Sequence, residues 1–372
     1  MQWAIEKKDQ ILKKKLHHRN YKRAISHLQT ELVYSDIGEM VAFTGPSRGG
    51  KTSILKRLER EYQDSSGVDP VTEYPFVYVE LKNRAPEGRF NSKSFFAQLL
   101  TALDHPALSA EFDEGRHREV NVARIDRRTT ADLMTACERA LRHLYSRVLA
   151  IDEAQHIEWH GSSPHAKTAI LDSFKSFASG AGVTLVLAGA YPMIRMLRAS
   201  SHMVGRSSLV EIPRYRATPE DADEFMDLLD WYSEGIHFEK GVDSLVDWAE
   251  YTHEYSLGVV GLVGRWLRMA MAAMVSDGSD RLAWKHMELA RRNDGDLQSI
   301  AAEIILGEEL LEKSPIDAPV SWQEKAAERT SVVEVGDKKK PTKKTTKKTK
   351  KSKTKLKPFE IKNRVFKKKV NK

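Results

Sequence analysis

Five short apolar runs are spaced along the first part of the chain: Met40–Thr44, Phe76–Leu81, Val148–Ile151, Val183–Leu187 and Ser208–Ile212. The first ends at Gly45-Pro46 and the last at Pro213, and the length and β-branched content of the runs predict buried strands. Between them, apolar positions recur at helical spacing over Thr52–Tyr62, Ser94–Leu103, Thr130–Tyr145 and Ala166–Ser179. Strands alternating with helices predict an α/β fold with a parallel sheet covered on both faces. Beyond Pro213 the strand signals stop, and from Pro219 to about Glu312 every pattern is helical. Ile5–Leu32 reads as one or two basic amphipathic helices, Asp104–Arg128 as an insertion and Ser314–Asp337 as a linker. The expected division is 1–36, a basic helical extension; 37–213, an α/β domain; 214–312, a helical domain; and 313–372, linker and tail.

Charge sharpens this division. The 372 residues carry a net +8, but residues 338–372 hold 18 Lys and Arg against one acid, Glu360, and residues 1–24 add a second basic block. The folded middle is therefore acidic, with basic material at both ends, a distribution suited to a polyanionic partner. The Lys/Thr/Ser tail has too little apolar content to offset the entropy of ordering, so it is expected to be disordered, serving as a nucleic-acid arm or a partner-docking segment. The single Cys137 excludes an internal disulfide and a multi-cysteine metal site. No apolar run approaches the length of a membrane span, and the first residues lack the apolar core of a secretory signal. A soluble, cytoplasmic protein is expected.

The chemistry begins at Gly45-Pro46-Ser47-Arg48-Gly49-Gly50-Lys51-Thr52, which fits G-x-x-x-x-G-K-[ST] directly after a predicted strand and opens a predicted helix with Ser53 next. Such a loop turns backbone N–H groups toward a phosphate, Lys51 reaches the β/γ-phosphates, and Thr52 supplies a hydroxyl to Mg²⁺. The second half of a nucleotide site is a strand ending in an acid, and Val148-Leu149-Ala150-Ile151-Asp152-Glu153 provides it. Asp152 is placed for Mg²⁺, and Glu153 for polarising the attacking water. No N/T-K-x-D guanine signature occurs, so ATP is the expected nucleotide.

With these motifs the sequence resembles the AAA+ ATPases that regulate DNA transposition, the TniB and TnsC type, related to MuB. The resemblance covers roughly residues 20–290. It rests on Phe43–Thr52, on Leu149–Ile157, on Leu185–Pro192 followed by Arg206 and Val210–Tyr215, and on Gly258–Gly261 followed by Arg265 and Leu267. It implies a sheet of order 5-1-4-3-2 with a C-terminal helical lid, assembled head to tail as a ring or filament on double-stranded DNA. It also implies nucleotide bound between subunits and a transposase or target-selection protein as partner. In that arrangement Arg206 is the candidate arginine completing a neighbour's site, with Arg195 and Arg198 as competitors, and Arg265 is the candidate lid sensor.

One departure is visible. The fourth strand ends in Gly189-Ala190, where the family usually places a polar side chain; Gln155 or His156 is the candidate substitute, and turnover is expected to be slow and dependent on assembly. His156 and His160 flank Glu158 in the order H-x-E-x-H, unlike the H-E-x-x-H of zinc proteases, so no metal is assigned to them. Trp248, Trp266 and Trp284 are expected in a helical core. A helicase-loader or initiator-type clamp would carry the same core motifs, and a nucleotide-gated scaffold with negligible turnover stays open beside it.

Overall fold

The computed structural model describes residues 17–65, 73–81, 90–103, 127–157, 164–198, 205 and 207–312. The chain divides into two units, and the described residues belong almost wholly to the first, which reaches Leu310. Arg206, His160, the 338–372 tail, the N-terminal block to residue 16 and most of 104–128 lie outside the described residues.

All five predicted strands are present: β1 (Met40–Thr44), β2 (Phe76–Glu80), β3 (Val148–Asp152), β4 (Thr184–Gly189) and β5 (Ser207–Glu211). They form one parallel sheet in the order β2-β3-β4-β1-β5, which is the expected order read from the other edge. Side chains alternate between its faces. Met40, Ala42, Val77, Val79, Leu149, Ile151, Leu185 and Leu187 enter one core, under α3 (Ser92–Ala102), α4 (Thr130–His143), α5 (Pro164–Ala181) and α6 (Pro192–Arg198). Val41, Phe43, Phe76, Val148, Ala150, Val186, Ala188 and Val210 enter the other, under α1 (Arg19–Tyr34) and α2 (Lys51–Ser65). Each helix buries the face its periodicity predicts: α1 presents Tyr21, Ala24, Ile25, Leu28 and Leu32, and α2 presents Ile54, Leu55 and Leu58. Cys137 lies fully inside α4, its thiol donating to the Phe96 carbonyl at 3.3 Å, and burial pushes its pKa well up.

The helical region contains α7 (Pro219–Ser233), a 3₁₀ turn (Leu245–Trp248), α8 (Ala249–Ser256), α9 (Val260–Ser276), α10 (Trp284–Leu289) and α11 (Asp294–Leu311). Its core gathers Phe225, Leu229, Leu245, Val263, Leu267, Met271 and Met274. Trp266 is buried there, its indole N–H donating to the Met287 carbonyl at 2.8 Å, whereas Trp248 and Trp284 are only half-buried against it. Among the described residues no single helix is long and apolar enough to cross a membrane.

The passage from β5 into the helical region is tied down three ways. Asn20 on α1 donates to the carbonyls of Pro213 and Arg214, and Arg19 pairs with Asp221 on α7. The Tyr215 N–H donates to the Gly258 carbonyl at 2.9 Å. A Cβ on Gly258 would approach the Tyr215 carbonyl to 1.9 Å, and its φ is +69°, so both space and conformation demand glycine there. Finally, α11 leaves the helical core and returns to the sheet: Gly307 abuts the Tyr191 ring, and Glu308 takes bidentate bonds from Arg214 at 2.8 and 3.0 Å.

That last pair is nearly dry, with side-chain exposures of 5% for Arg214 and 13% for Glu308. Glu308→Ala should therefore destabilise the chain by roughly 3 kcal/mol, because a guanidinium loses its carboxylate in a low-dielectric setting. Urea denaturation measures this; a loss within about 0.5 kcal/mol would place the pair with ordinary surface bridges.

Candidate functional site: a phosphate loop facing an acidic strand end

The loop after β1 is shaped by backbone constraints. Gly45 has φ +150°, and a Cβ there would lie 2.4 Å from the Ile212 carbonyl, so the turn out of β1 admits glycine alone. The Gly49 N–H closes a turn on the Pro46 carbonyl at 3.0 Å, Arg48 and Gly50 take positive φ, and α2 starts at Lys51. These reversals wrap the loop around a concavity at the helix's positive end. Lys51 is 9% exposed, and its ammonium donates to the carbonyls of Gly45 and Pro46, each at 2.9 Å. Burial depresses its pKa to about 8, opposed by the charges of Asp152, Glu153 and Glu303. Ser47 and Ser53 are exposed at the loop's rim and on the first turn of α2.

Sheet alternation decides what meets this loop. Ile151 points into the α3–α6 core, so Asp152 turns to the α2 side, beside Ala150 and Tyr78. Asp152 is 1% exposed, and Thr52 on the first turn of α2 donates its hydroxyl to Oδ2 at 2.6 Å. The Tyr78 hydroxyl donates to the same oxygen at 3.1 Å, and the Glu153 N–H donates to Oδ1 at 2.9 Å. A buried carboxylate oxygen beside a threonine hydroxyl is an oxygen donor set that fits a hard divalent cation retaining several waters. Burial and the charge of Asp152 push the Tyr78 phenol far above its usual range, so Tyr78 stays a proton donor.

Glu153 is left-handed, φ +59°, which turns its half-exposed side chain away from the strand line toward the loop side of the sheet edge. Gln155, on the following 3₁₀ turn (Ala154–Ile157), donates to Glu153 and accepts from the Ala190 N–H at 3.1 Å. A Cβ on Gly189 would meet that Gln155 oxygen at 2.6 Å. Gln155 thus occupies the space a side chain at the end of β4 would fill, and it links β4 to Glu153. His156 lies 3.8 Å from Glu153.

The helical region closes over the loop. A Cβ on Gly261 would come 2.3 Å from the Arg48 carbonyl, and Arg265 and Arg268 follow Gly261 at i+4 and i+7 on the same face of α9. Partial desolvation, then the charges of Arg265, Arg292 and Arg268, lower the pKa of Arg48. Among the described residues none of these four guanidinium groups forms an ion pair. On the other side, Glu303 of α11 faces Lys51; burial raises its carboxyl, and the lysine's charge opposes the rise. Arg195 and Arg198 are exposed on α6. Nothing in the sequence marks Arg268, Arg292 or Glu303 for this site. Tyr78 alone carries a signal there, since it shares strand parity with the sheet face that Asp152 joins.

Residues 38–197 match the family described as AAA domain. No curated protein gives a significant match. Among solved structures, that of the Aeropyrum pernix ORC1 protein in complex with DNA is similar at 13% identity and TM-score 0.51, over 88% of this chain and 81% of that one. The Aeropyrum pernix ORC2 protein in ADPNP-ADP complexes follows at 12% identity and TM-score 0.48, over 85% of each chain. The Walker-type ATPase of Pyrococcus abyssi gives 15% and 0.46, over 86% of this chain and 80% of its own.

The depressed Lys51 has a consequence for stability. Between about pH 8 and 10.5 the unfolded lysine still holds the proton that the folded one has released, so this residue makes stability rise with pH across that window. The stability of the native chain relative to Lys51→Met should therefore climb by on the order of 3 kcal/mol from pH 7 to pH 11. Denaturation at a series of pH values reads the difference directly, and parallel curves for the two proteins would mean that Lys51 is solvated. Loop, strand end and sheet order agree with the match of residues 38–197 to the family described as AAA domain.

Proposed function

We propose that this protein is an ATP-dependent DNA-binding regulator that oligomerises on double-stranded target DNA and passes that target to a transposase, with hydrolysis dissolving the assembly. The observation that carries the ATPase part is the 2.6 Å hydrogen bond joining Thr52 to Asp152 beside a buried Lys51. In this reading Gly45, Pro46, Ser47, Arg48, Gly49 and Gly50 wrap the phosphates, Lys51 meets the β/γ oxygens, and Thr52 and Asp152 hold Mg²⁺. The ion, when bound, offsets charge on the phosphates. Glu153 accepts the proton of the attacking water and Gln155 holds Glu153 in line. Arg265, joined by Arg48, Arg268 and Arg292, draws the lid onto the triphosphate, because four cations with no carboxylate partner among the described residues repel one another until an anion arrives. Arg206, Arg195 or Arg198 completes a neighbouring subunit's site, which makes hydrolysis depend on assembly.

DNA binding rests on the basic blocks at both ends of an acidic body, and the transposition role on the resemblance of the motif blocks. An initiator-type clamp is the second reading, favoured by the fold shared with an ORC1 protein solved on DNA. Duplex-DNA binding measured with ATP, ADP and a nonhydrolysable analogue tests the common part: ATP and the analogue should drive polymerisation, and ADP should not. Adding a partner transposase separates the two readings, since only the first requires stimulation of strand transfer.

Glu153→Gln should lower hydrolysis by at least a hundredfold while ATP and DNA stay bound, measured by phosphate release and co-sedimentation. Loss of DNA binding in that variant would make Glu153 structural. Removing 338–372 should leave nucleotide affinity unchanged and shallow the salt dependence of DNA binding by about 0.9 for each phosphate that the tail neutralises. An unaltered slope would remove the tail from the DNA interface.

A further inference from the structure

One face of the helical region carries a row of aromatic rings remote in role from the phosphate loop. Tyr255 and Tyr251 stack at 5.4 Å, Tyr251 meets Trp284 edge to face at 4.7 Å, and Trp284 meets Trp248 at 5.5 Å. At the Tyr255 end the row is capped by a cation: the Arg291 guanidinium carbon lies 4.5 Å from the ring centroid. At the other end it opens into a cavity of about 420 Å³ walled by Trp248, Tyr251 and Trp284 together with Asp247 and Glu250. Among the described residues no lysine or arginine lines that cavity.

The walls are held in place before any ligand arrives. Trp248 packs edge to face on Phe238 at 5.9 Å, and the Trp284 N–H donates to Glu239 at 2.8 Å. Asp247 accepts from the N–H groups of Asp243 and Ser244 at 2.8 and 3.3 Å. Tyr251 remains 46% exposed, and Glu250, also exposed, has no ion pair among the described residues. Aromatic faces carry negative potential, and two carboxylates beside them add to it. Such a setting repels a nucleic-acid backbone, which would otherwise be the natural guest for stacked rings, and it suits an alkyl chain ending in a cation.

We infer that this cavity binds a lysine or arginine side chain presented by a basic segment of another protein. The cation repeats at the open end what Arg291 does at the closed end, and the rings cover its methylenes. Preformed walls keep the ordering cost low.

The test uses the full chain labelled with 5-fluorotryptophan, titrated with a capped Lys/Arg-rich dodecapeptide. A capped glutamate dodecapeptide and a dodecathymidylate serve as controls. Saturable shifts of the Trp248 and Trp284 fluorine resonances are expected with the basic peptide alone. Glu250→Lys and Tyr251→Ala should each weaken binding roughly tenfold. Both positions are exposed, and an unchanged melting temperature verifies that the fold persists. Absence of saturable shifts, equal affinity in the two variants and the native chain, or preference for the oligonucleotide would each overturn the assignment. A chain lacking 338–372 that binds the peptide at least tenfold better than the full chain would overturn the separate-protein source in favour of the chain's own lysines.

Discussion

The structure turns on a hydrogen bond between residues one hundred positions apart, Thr52 to Asp152. Neither β1 nor β3 is adjacent to the other; β4 lies between them, with Thr44 level with Gly189. The phosphate loop and the acidic strand end therefore meet across the end of a third strand. Gly189 at the end of β4 leaves room for the turn after β3, since a Cβ there would meet the Gln155 side chain. Gln155 enters the space from the following turn, bonding the Ala190 amide on one side and Glu153 on the other. The polar group missing from β4 is supplied by a different element, which ties the candidate base to the strand between the two motifs.

Charge around this junction is divided between opposing elements. Arg48, Arg265, Arg268 and Arg292 collect where α9 approaches the loop, and Glu303 faces Lys51 from α11. The α11 helix is held by the Arg214–Glu308 pair and by Gly307 on Tyr191, so Glu303 is carried on a well-anchored support. A polyanion entering the loop would relieve the repulsion among the arginines and encounter repulsion from Glu303. The helical region is thus electrostatically coupled to whatever the loop holds, with attraction and repulsion delivered by separate helices.

Much of this is readable from residue order. Strand and helix positions follow from apolar runs and spacing, with boundaries moving by only a few residues: the run Val183–Leu187, for example, becomes Thr184–Gly189. Gly45 follows from its place in a motif whose turn excludes a side chain. Residue order groups the three tryptophans in one core, yet only Trp266 is deeply buried, while Trp248 and Trp284 wall an open cavity. Helical spacing identifies an apolar face; whether neighbouring elements cover that face depends on packing.

Residue order by itself determined the backbone chemistry: which segments extend, which coil, where glycine alone can turn, and that a phosphate loop precedes an acid at a strand end. These are local properties, set by sterics and hydrophobic periodicity within a few residues. Tertiary structure alone decided which distant groups share the site. Glu303 lies about 250 residues from Lys51, and Arg292 nearly as far from Arg48. No local pattern marks either, because an exposed-looking charge on a helix acquires its meaning from the surface against which that helix is packed.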